Sequence, residues 1–263
     1  MGKQDQLDTT VLKQTQEIAD RIIAAKSVVC FTGAGISTES GIPDYRSQGG
    51  LWDKFTPVYF DEFMSSRQAR IRYWDQRMNM EKSLGHARPN KGHLAIARLE
   101  RSGHLTAVIT QNIDGLHQAS GVSQDRIIEL HGNTRRVRCM SCQALTPLDR
   151  VMDMIRHGDL APQCTCGGFL KPDTISFGQA MPQDAVQEAA RLCSRADIFI
   201  AVGSTLLVQP AAAMPDHARS AGAFTVVINL SATPFDARSH MVIQQKAGAV
   251  LAAVADRVEK SVT

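Results

Sequence analysis

Four groups of residues have types and spacings that support chemistry. Cys139-x-x-Cys142 and Cys164-x-Cys166, separated by twenty-one residues, offer four thiolates. Such a set holds Zn²⁺ in a closed tetrahedron with bonds of about 2.3 Å and no open position, which makes the metal structural. The second pair is tighter than Cys-x-x-Cys, and Gly167-Gly168 relieves the bend it demands. His131, within Glu129-Leu130-His131-Gly132, carries an imidazole of ordinary pKa about 6.5, suited to act as a base near neutral pH. Gln111-Asn112-Ile113-Asp114 puts an amide and a carboxylate one residue apart, where both can face one side of a loop.

The fourth group is Gly33-Ala34-Gly35-Ile36-Ser37-Thr38 and its tail Pro43-Asp44-Tyr45-Arg46. The two glycines permit a sharp turn that brings backbone N–H groups close to a ligand, and a helix opening there would aim its positive end at a phosphate. The spacing is not a dehydrogenase fingerprint, because Thr38 stands where the third glycine would be. It is not a P-loop either, since no Lys-Ser or Lys-Thr pair closes it.

These groups need elements to hold them. Helical spacing of Leu7, Val11, Ile18, Ile22 and Ile23 predicts a helix over 6–25, followed by a buried strand over 27–31. Residues 60–80 read as helical, Gly49-Gly50-Leu51-Trp52 breaks regularity before them, and Pro89-Asn90 opens a helix that runs to Gly103. Further apolar strands are predicted over 105–110, 126–130, 196–203 and 224–229, with a closing helix over 247–258. Strands alternating with helices predict an α/β fold with a doubly wound parallel sheet. Ligands in such sheets lie beyond the carboxyl ends of the strands. Those ends carry Gly-Ala-Gly, Gln-Asn-Ile-Asp, His-Gly, Gly203-Ser204-Thr205 and Asn229. The alternation stops between 133 and 176, so a nucleotide-binding domain of 1–132 and 177–263 is expected to enclose a small zinc-bearing insertion of 133–176.

Composition narrows the class. The chain has 263 residues, 43% hydrophobic and 21% charged, with a net charge of +3. That balance suits a soluble enzyme and gives no reason to expect nucleic acid or a membrane as partner. A polar start, Met1 to Asp8, lacks the pattern of a signal peptide, and a cytoplasmic protein is expected. Cys30 and Cys193 read as small apolar residues. The histidines other than His131, His93 and His117 among them, read as structural.

The ordered motifs resemble those of the sirtuins, NAD-dependent protein lysine deacylases. The resemblance runs from about residue 25 to the C-terminus. It rests on Gly-Ala-Gly-Ile-Ser with Gly-Ile-Pro-Asp-Tyr-Arg, Thr-Gln-Asn-Ile-Asp-Gly-Leu-His at 110–117 and Glu-Leu-His-Gly at 129–132. It also takes in the four cysteines, Lys-Pro-Asp-Thr-Ile-Ser-Phe-Gly at 171–178, Val-Gly-Ser-Thr-Leu-Leu-Val-Gln-Pro at 202–210, and Ile228-Asn229. Tyr45 stands where Phe is usual, Thr205 where Ser is common, and Cys-x-Cys where a wider pair is the rule.

The resemblance implies a Rossmann-like sheet with an inserted zinc ribbon, and NAD as co-substrate. It implies that acyl-lysine, in a protein or peptide, attacks the nicotinamide ribose. Nicotinamide leaves, and O-acyl-ADP-ribose and free lysine result. His131 would take a proton from the ribose hydroxyls; Asn112 would lie near the reacting ribose, and Asp114, with Ile113, would meet the nicotinamide carboxamide. Gln111 would bond a ribose. Gly33, Ala34, Gly35, Ser37 and Thr38 would line the phosphates with Gly203, Ser204 and Thr205. Asn229, Leu230, Ser231 and Ala247 would surround the adenosine end. Asp44 would help bind NAD, and Tyr45 and Arg46 would cover the reactive end as a lid. The peptide would add as a strand between Phe177-Gly178 and Leu206-Leu207-Val208. Relatives that remove succinyl groups carry Tyr-x-x-Arg; here Tyr73 is followed by Gln76, with Arg77 one place late, so uncharged acyl groups are expected. Transfer of ADP-ribose to a protein acceptor, ascribed to some relatives, is the alternative within the same fold.

Overall fold

The computed structural model describes residues 7–44 and 56–262. Helix α1 (Thr9–Ala24) starts where Asp8 caps it, its Oδ1 accepting from the Val11 N–H at 2.8 Å, and it buries Val11, Ile18 and Ile22. Strand β1 (Val28–Thr32) is buried at every position, as a central parallel strand must be. It leads into a 3-10 turn, Ala34–Ser40, in place of the expected helix.

The stretch predicted as one helix over 60–80 is two, α2 (Phe60–Ser65) and α3 (Arg67–Leu84). Ser66 separates them: its extended backbone ends the first, and its hydroxyl accepts from the Ala69 N–H at 3.3 Å to start the second. Then come α4 (Lys91–Arg101), β2 (Ala107–Thr110), α5 (Leu116–Ala119) and β3 (Ile127–Glu129). The inserted stretch follows, with β4 (Gly132–Cys139), β5 (Leu145–Pro147), α6 (Leu148–Arg156) and β6 (Leu170–Thr174). The chain closes with α7 (Gln183–Cys193), β7 (Ile198–Val202), α8 (Met214–Ser220), β8 (Phe224–Ile228), β9 (Met241–Ile243) and α9 (Ala247–Val262).

The large sheet is entirely parallel, in the order β3-β2-β1-β7-β8-β9. One face packs on α1, α4 and α9, through Ile18, Ile96, Leu99, Val250 and Val254. The other packs on α7 and α8, through Ala189, Cys193 and Met214. Helices on both faces and a strand order that reverses between β1 and β7 make this a Rossmann-like, doubly wound sheet. Its sixth strand, β9, was not foreseen, since three residues are too few to show a pattern. Each fully buried Val, Ile or Phe contributes about 1.5–3 kcal/mol, so this two-sided core dominates the stability.

The second sheet, β5-β4-β6, is antiparallel. Trp74 of α3, 1% exposed, lies among Val137, Cys139, Leu148, Val151 and Leu170. Phe63 and Ala69 pack near Met140 and Phe169. Helices α2 and α3 therefore pack on the insertion although sequence sets them far from it.

Candidate functional site

Beyond the carboxyl ends of the parallel strands lies a cleft of about 1000 Å³. The turn after β1 forms one wall, pressed against the exit of β7: the Gly33 N–H donates to Val202 O at 3.0 Å and the Gly35 N–H to Gly203 O at 2.7 Å. A Cβ on Gly33 would sit 2.7 Å from Gly203 O, and one on Gly35 2.8 Å from Gly203 Cα. The N–H groups of Gly33 and Gly35 are therefore not the ones a ligand would meet at this turn. Both groups are spent inside the protein, and glycine is required here because two backbones touch. The Thr38 hydroxyl, too, is engaged, donating to Gly35 O at 2.9 Å.

Gly33, Ala34, Gly35, Thr38 and Asp44 line the cleft with Gln111, Asn112, Ile113 and His131. Gly203, Ser204, Thr205, Asn229, Leu230, Ser231 and Ala247 line it from the strands beyond, and Phe177, Gly178 and Val208 from the mouth. Leu206 does not line it: at φ 54 its backbone turns left-handed and its side chain, 6% exposed, enters the core with Phe199 and Val227. Leu207 does not line the cleft and is 56% exposed. Tyr45 and Arg46 lie outside the described residues, as does the predicted break over 49–52.

His131 donates from Nδ1 to Gln111 O at 2.9 Å, since a carbonyl can only accept. Nε2 therefore carries the lone pair. Burial lowers the imidazole pKa from its ordinary 6.5, the Gln111 bond opposing it, so the ring is neutral at pH 7. Gln111 also donates from Nε2 to Ser204 Oγ at 2.8 Å, tying the exits of β2 and β7 together.

Asn112 and Asp114 do converge, and Ser37 is the point at which they meet. Asn112 Nδ2 donates to Gly33 O at 3.0 Å and to Ser37 Oγ at 3.2 Å. The Ser37 hydroxyl donates to Asp114 Oδ2 at 2.7 Å, and Asp114 Oδ1 accepts the Leu116 N–H at 2.9 Å. Ser37 and Asp114 line a separate small chamber, not the cleft itself.

Two histidines read as merely structural stand behind this network. His93 Nε2 is 3.5 Å from Ser37 Oγ, and its Nδ1 accepts the Asn90 N–H at 3.4 Å. His117 Nε2 is 2.9 Å from Thr32 Oγ1, which bonds Thr110 Oγ1 at 2.9 Å; that oxygen accepts the Asn112 N–H at 3.0 Å. Their rings lie 5.1 Å apart. Burial lowers His93 to about 4, against the pull of Asp114, and lowers His117 to about 3 with His93 adding to the effect. Both are held neutral beneath the loop that carries Asn112 and Asp114. Only the placement of Leu-His one turn after that loop hinted at this for His117, and nothing did for His93. Sequence reasoning also missed Glu39, Met80 and Lys246, which line the cleft.

A further wall of the cleft comes from α3. Tyr73, Gln76, Arg77 and Met80 face the cleft, and the Tyr73 hydroxyl lies 3.2 Å from Thr174 Oγ1. Arg77 Nη1 is 2.6 Å from Glu81, so its charge is paired within its own helix.

In the insertion the four cysteine sulfurs lie within 4.8 Å of one another. Cys139 and Cys166 are 3.5 Å apart, Cys142 and Cys164 3.8 Å. Sulfurs at about 2.3 Å from a tetrahedral zinc are about 3.8 Å from each other, so the set fits Zn²⁺ with four thiolates. The Cys139 thiol is drawn down to about 6, burial opposing and the Cys142 and Ser141 N–H groups prevailing. Cys30 and Cys193 are pushed up to about 12 by burial and are inert.

Comparison with known proteins agrees with this geometry. The Sir2 family profile matches residues 33–210. An NAD-dependent protein deacetylase of Rhodopseudomonas palustris is 46% identical over 237 residues, covering 90% of this chain and 94% of that one. NAD-dependent protein deacetylase 1 of Bradyrhizobium diazoefficiens is 48% identical, covering 90% and 93%. The solved structure of a Sir2 protein with a p53 peptide and NAD⁺ superposes with a TM-score of 0.78 at 34% identity, covering 94% of this chain and 98% of that one.

Proposed function

The chain belongs to the Sir2 family and is an NAD-dependent protein deacetylase, and we propose that His131 is the base on which its chemistry turns. NAD, when bound, supplies the ribose that receives the acyl group and the nicotinamide that leaves. The single observation carrying the assignment is the bond from His131 Nδ1 to Gln111 O, in a ring that lines the cleft. It leaves Nε2 unprotonated, and Nε2 takes the proton of a ribose hydroxyl at neutral pH.

Asn112 spends its amide N–H groups on Gly33 and Ser37 and offers its oxygen to the ribose. Asp114, with Ile113, receives the nicotinamide carboxamide; its carboxylate has lone pairs beyond those taken by Ser37 and Leu116. Ser37 acts through Asp114 and not on a phosphate. Ala34, Thr38 and Gly203 to Thr205 pack against the phosphates, Gln111 meets a ribose, and Asn229 to Ser231 with Ala247 take the adenosine end. The acyl-lysine peptide lies between Phe177-Gly178 and Leu206-Leu207-Val208 by backbone pairing, with Val208 turned to the cleft. Pairing of Arg77 with Glu81 favours uncharged acyl groups.

The four cysteines hold Zn²⁺ as a clamp on the inserted module, with no position left for substrate. The division into 1–132 with 177–263 and 133–176 is our reading of the domains, with α2 and α3 packed on the smaller. Among the described residues no helix is long and apolar enough to cross a membrane. Six cysteines with no disulfide among them, four of them set to hold zinc, suit a reducing cytoplasm. The test is incubation with NAD and acetyl-lysine peptide, scored by mass spectrometry. Wild type yields deacetylated peptide, nicotinamide and O-acetyl-ADP-ribose; His131→Ala yields none while keeping fold and zinc. Turnover by that variant would remove His131 from the mechanism.

A further inference from the structure

Beside the cleft is a second chamber, of about 20 Å³, lined by Ala34, Ser37, Ile42, Pro43, Met80, Leu84 and the Asn112–Asp114 loop. That volume holds about one water molecule. A planar ring bearing a carboxamide, which the function proposed above brings to Asp114, enters only if a wall moves.

Four residues line both the cleft and the chamber and so form the partition between them: Ala34, Met80, Asn112 and Ile113. Ala34 has no side chain to swing. Asn112 is held by its bonds to Gly33 O and Ser37 Oγ. Ile113 is β-branched and stiff, and its carbonyl accepts from the Thr134 N–H at 2.8 Å. Met80 has an unbranched chain with three rotatable bonds, the side chain best able to fill or vacate an irregular gap. It lies on α3 in one stripe with Tyr73, Gln76 and Arg77, which face the cleft, and Leu84, which faces the chamber. We propose that Met80 is the movable partition between the acyl-lysine cleft and the nicotinamide chamber, and thereby sets how readily nicotinamide leaves and returns.

The inference rests on the deacetylase reading and on Asp114 receiving the carboxamide. Nicotinamide that returns reverses the first step, so its inhibition constant and the exchange of labelled nicotinamide into NAD both report the partition. Met80→Ala removes it, opens the chamber to returning nicotinamide, and is expected to lower the inhibition constant and raise exchange relative to deacetylation, each roughly three- to tenfold. Met80→Phe replaces it with a rigid ring and is expected to slow exchange relative to deacetylation. Variants are first matched to wild type for zinc content and melting temperature. An inhibition constant within twofold of wild type in Met80→Ala overturns the proposal. So does a change confined to the KM of acyl-peptide, or movement of the exchange-to-deacetylation ratio in the same direction in both variants. Wild type that releases no nicotinamide with acyl-lysine peptide would instead overturn the function on which the proposal rests.

Discussion

Removing His117 should make the protein's stability less sensitive to acid. In the folded state His117 is 2% exposed and its pKa is lowered to about 3, by burial first and then by His93. In the unfolded chain a histidine titrates near about 6.5. The unfolded state therefore binds more protons throughout the interval between the two values. Stability is full above the unfolded pKa and falls as pH falls. Between pH 7 and 5 this one residue costs about 1.9 kcal/mol, against a total of about 5–15 kcal/mol for a typical domain. His117→Leu deletes the term. It also takes a donor from Thr32 Oγ1, 2.9 Å away, which costs about 1–3 kcal/mol at neutral pH. The variant starts weaker at pH 7, and the gap to wild type closes by about 1.9 kcal/mol at pH 5. Urea unfolding of both proteins at pH 7, 6 and 5 measures the gap, and acid loss of zinc is common to both and cancels. A gap that stays constant within about 0.5 kcal/mol would mean that His117 is not held neutral, and the argument from burial would fail.

Other outcomes follow from the same geometry. Because the His131 pKa lies below 6.5 in the folded protein, kcat/KM should be flat above that pH and fall about tenfold per unit below the lowered value; an acid limb centred above pH 7 would contradict this. Cys142→Ser should lose zinc and melt lower, since a structural site contributes folding energy directly; retained stoichiometric zinc would refute the four-thiolate assignment. Gly33→Ala should fold poorly or lose NAD binding, because its Cβ would meet Gly203 O at 2.7 Å; normal thermal stability together with normal NAD affinity would refute the close-packing account. Acetyl-lysine peptide should be turned over faster than succinyl-lysine peptide, Arg77 being paired to Glu81 at 2.6 Å; equal rates would show that this arginine is available to a carboxylate.

Local spacing alone determined a good deal. Four thiols within short reach along the chain predict a metal, and apolar runs ending in glycine or polar residues predict a sheet with its site at the strand exits. Those signals survive folding because they depend on neighbours in sequence. What the tertiary structure decided depends on residues far apart in the chain. Gly33 and Gly35 are glycine because β7, nearly 170 residues later, presses its exit against them. His93 and His117 matter because burial of both sets two neutral rings under Ser37 and Thr32. Met80 borders two cavities because α3 packs on a module that begins some fifty residues downstream. No local pattern encodes such meetings, because a side chain's burial and partners are properties of the packed chain.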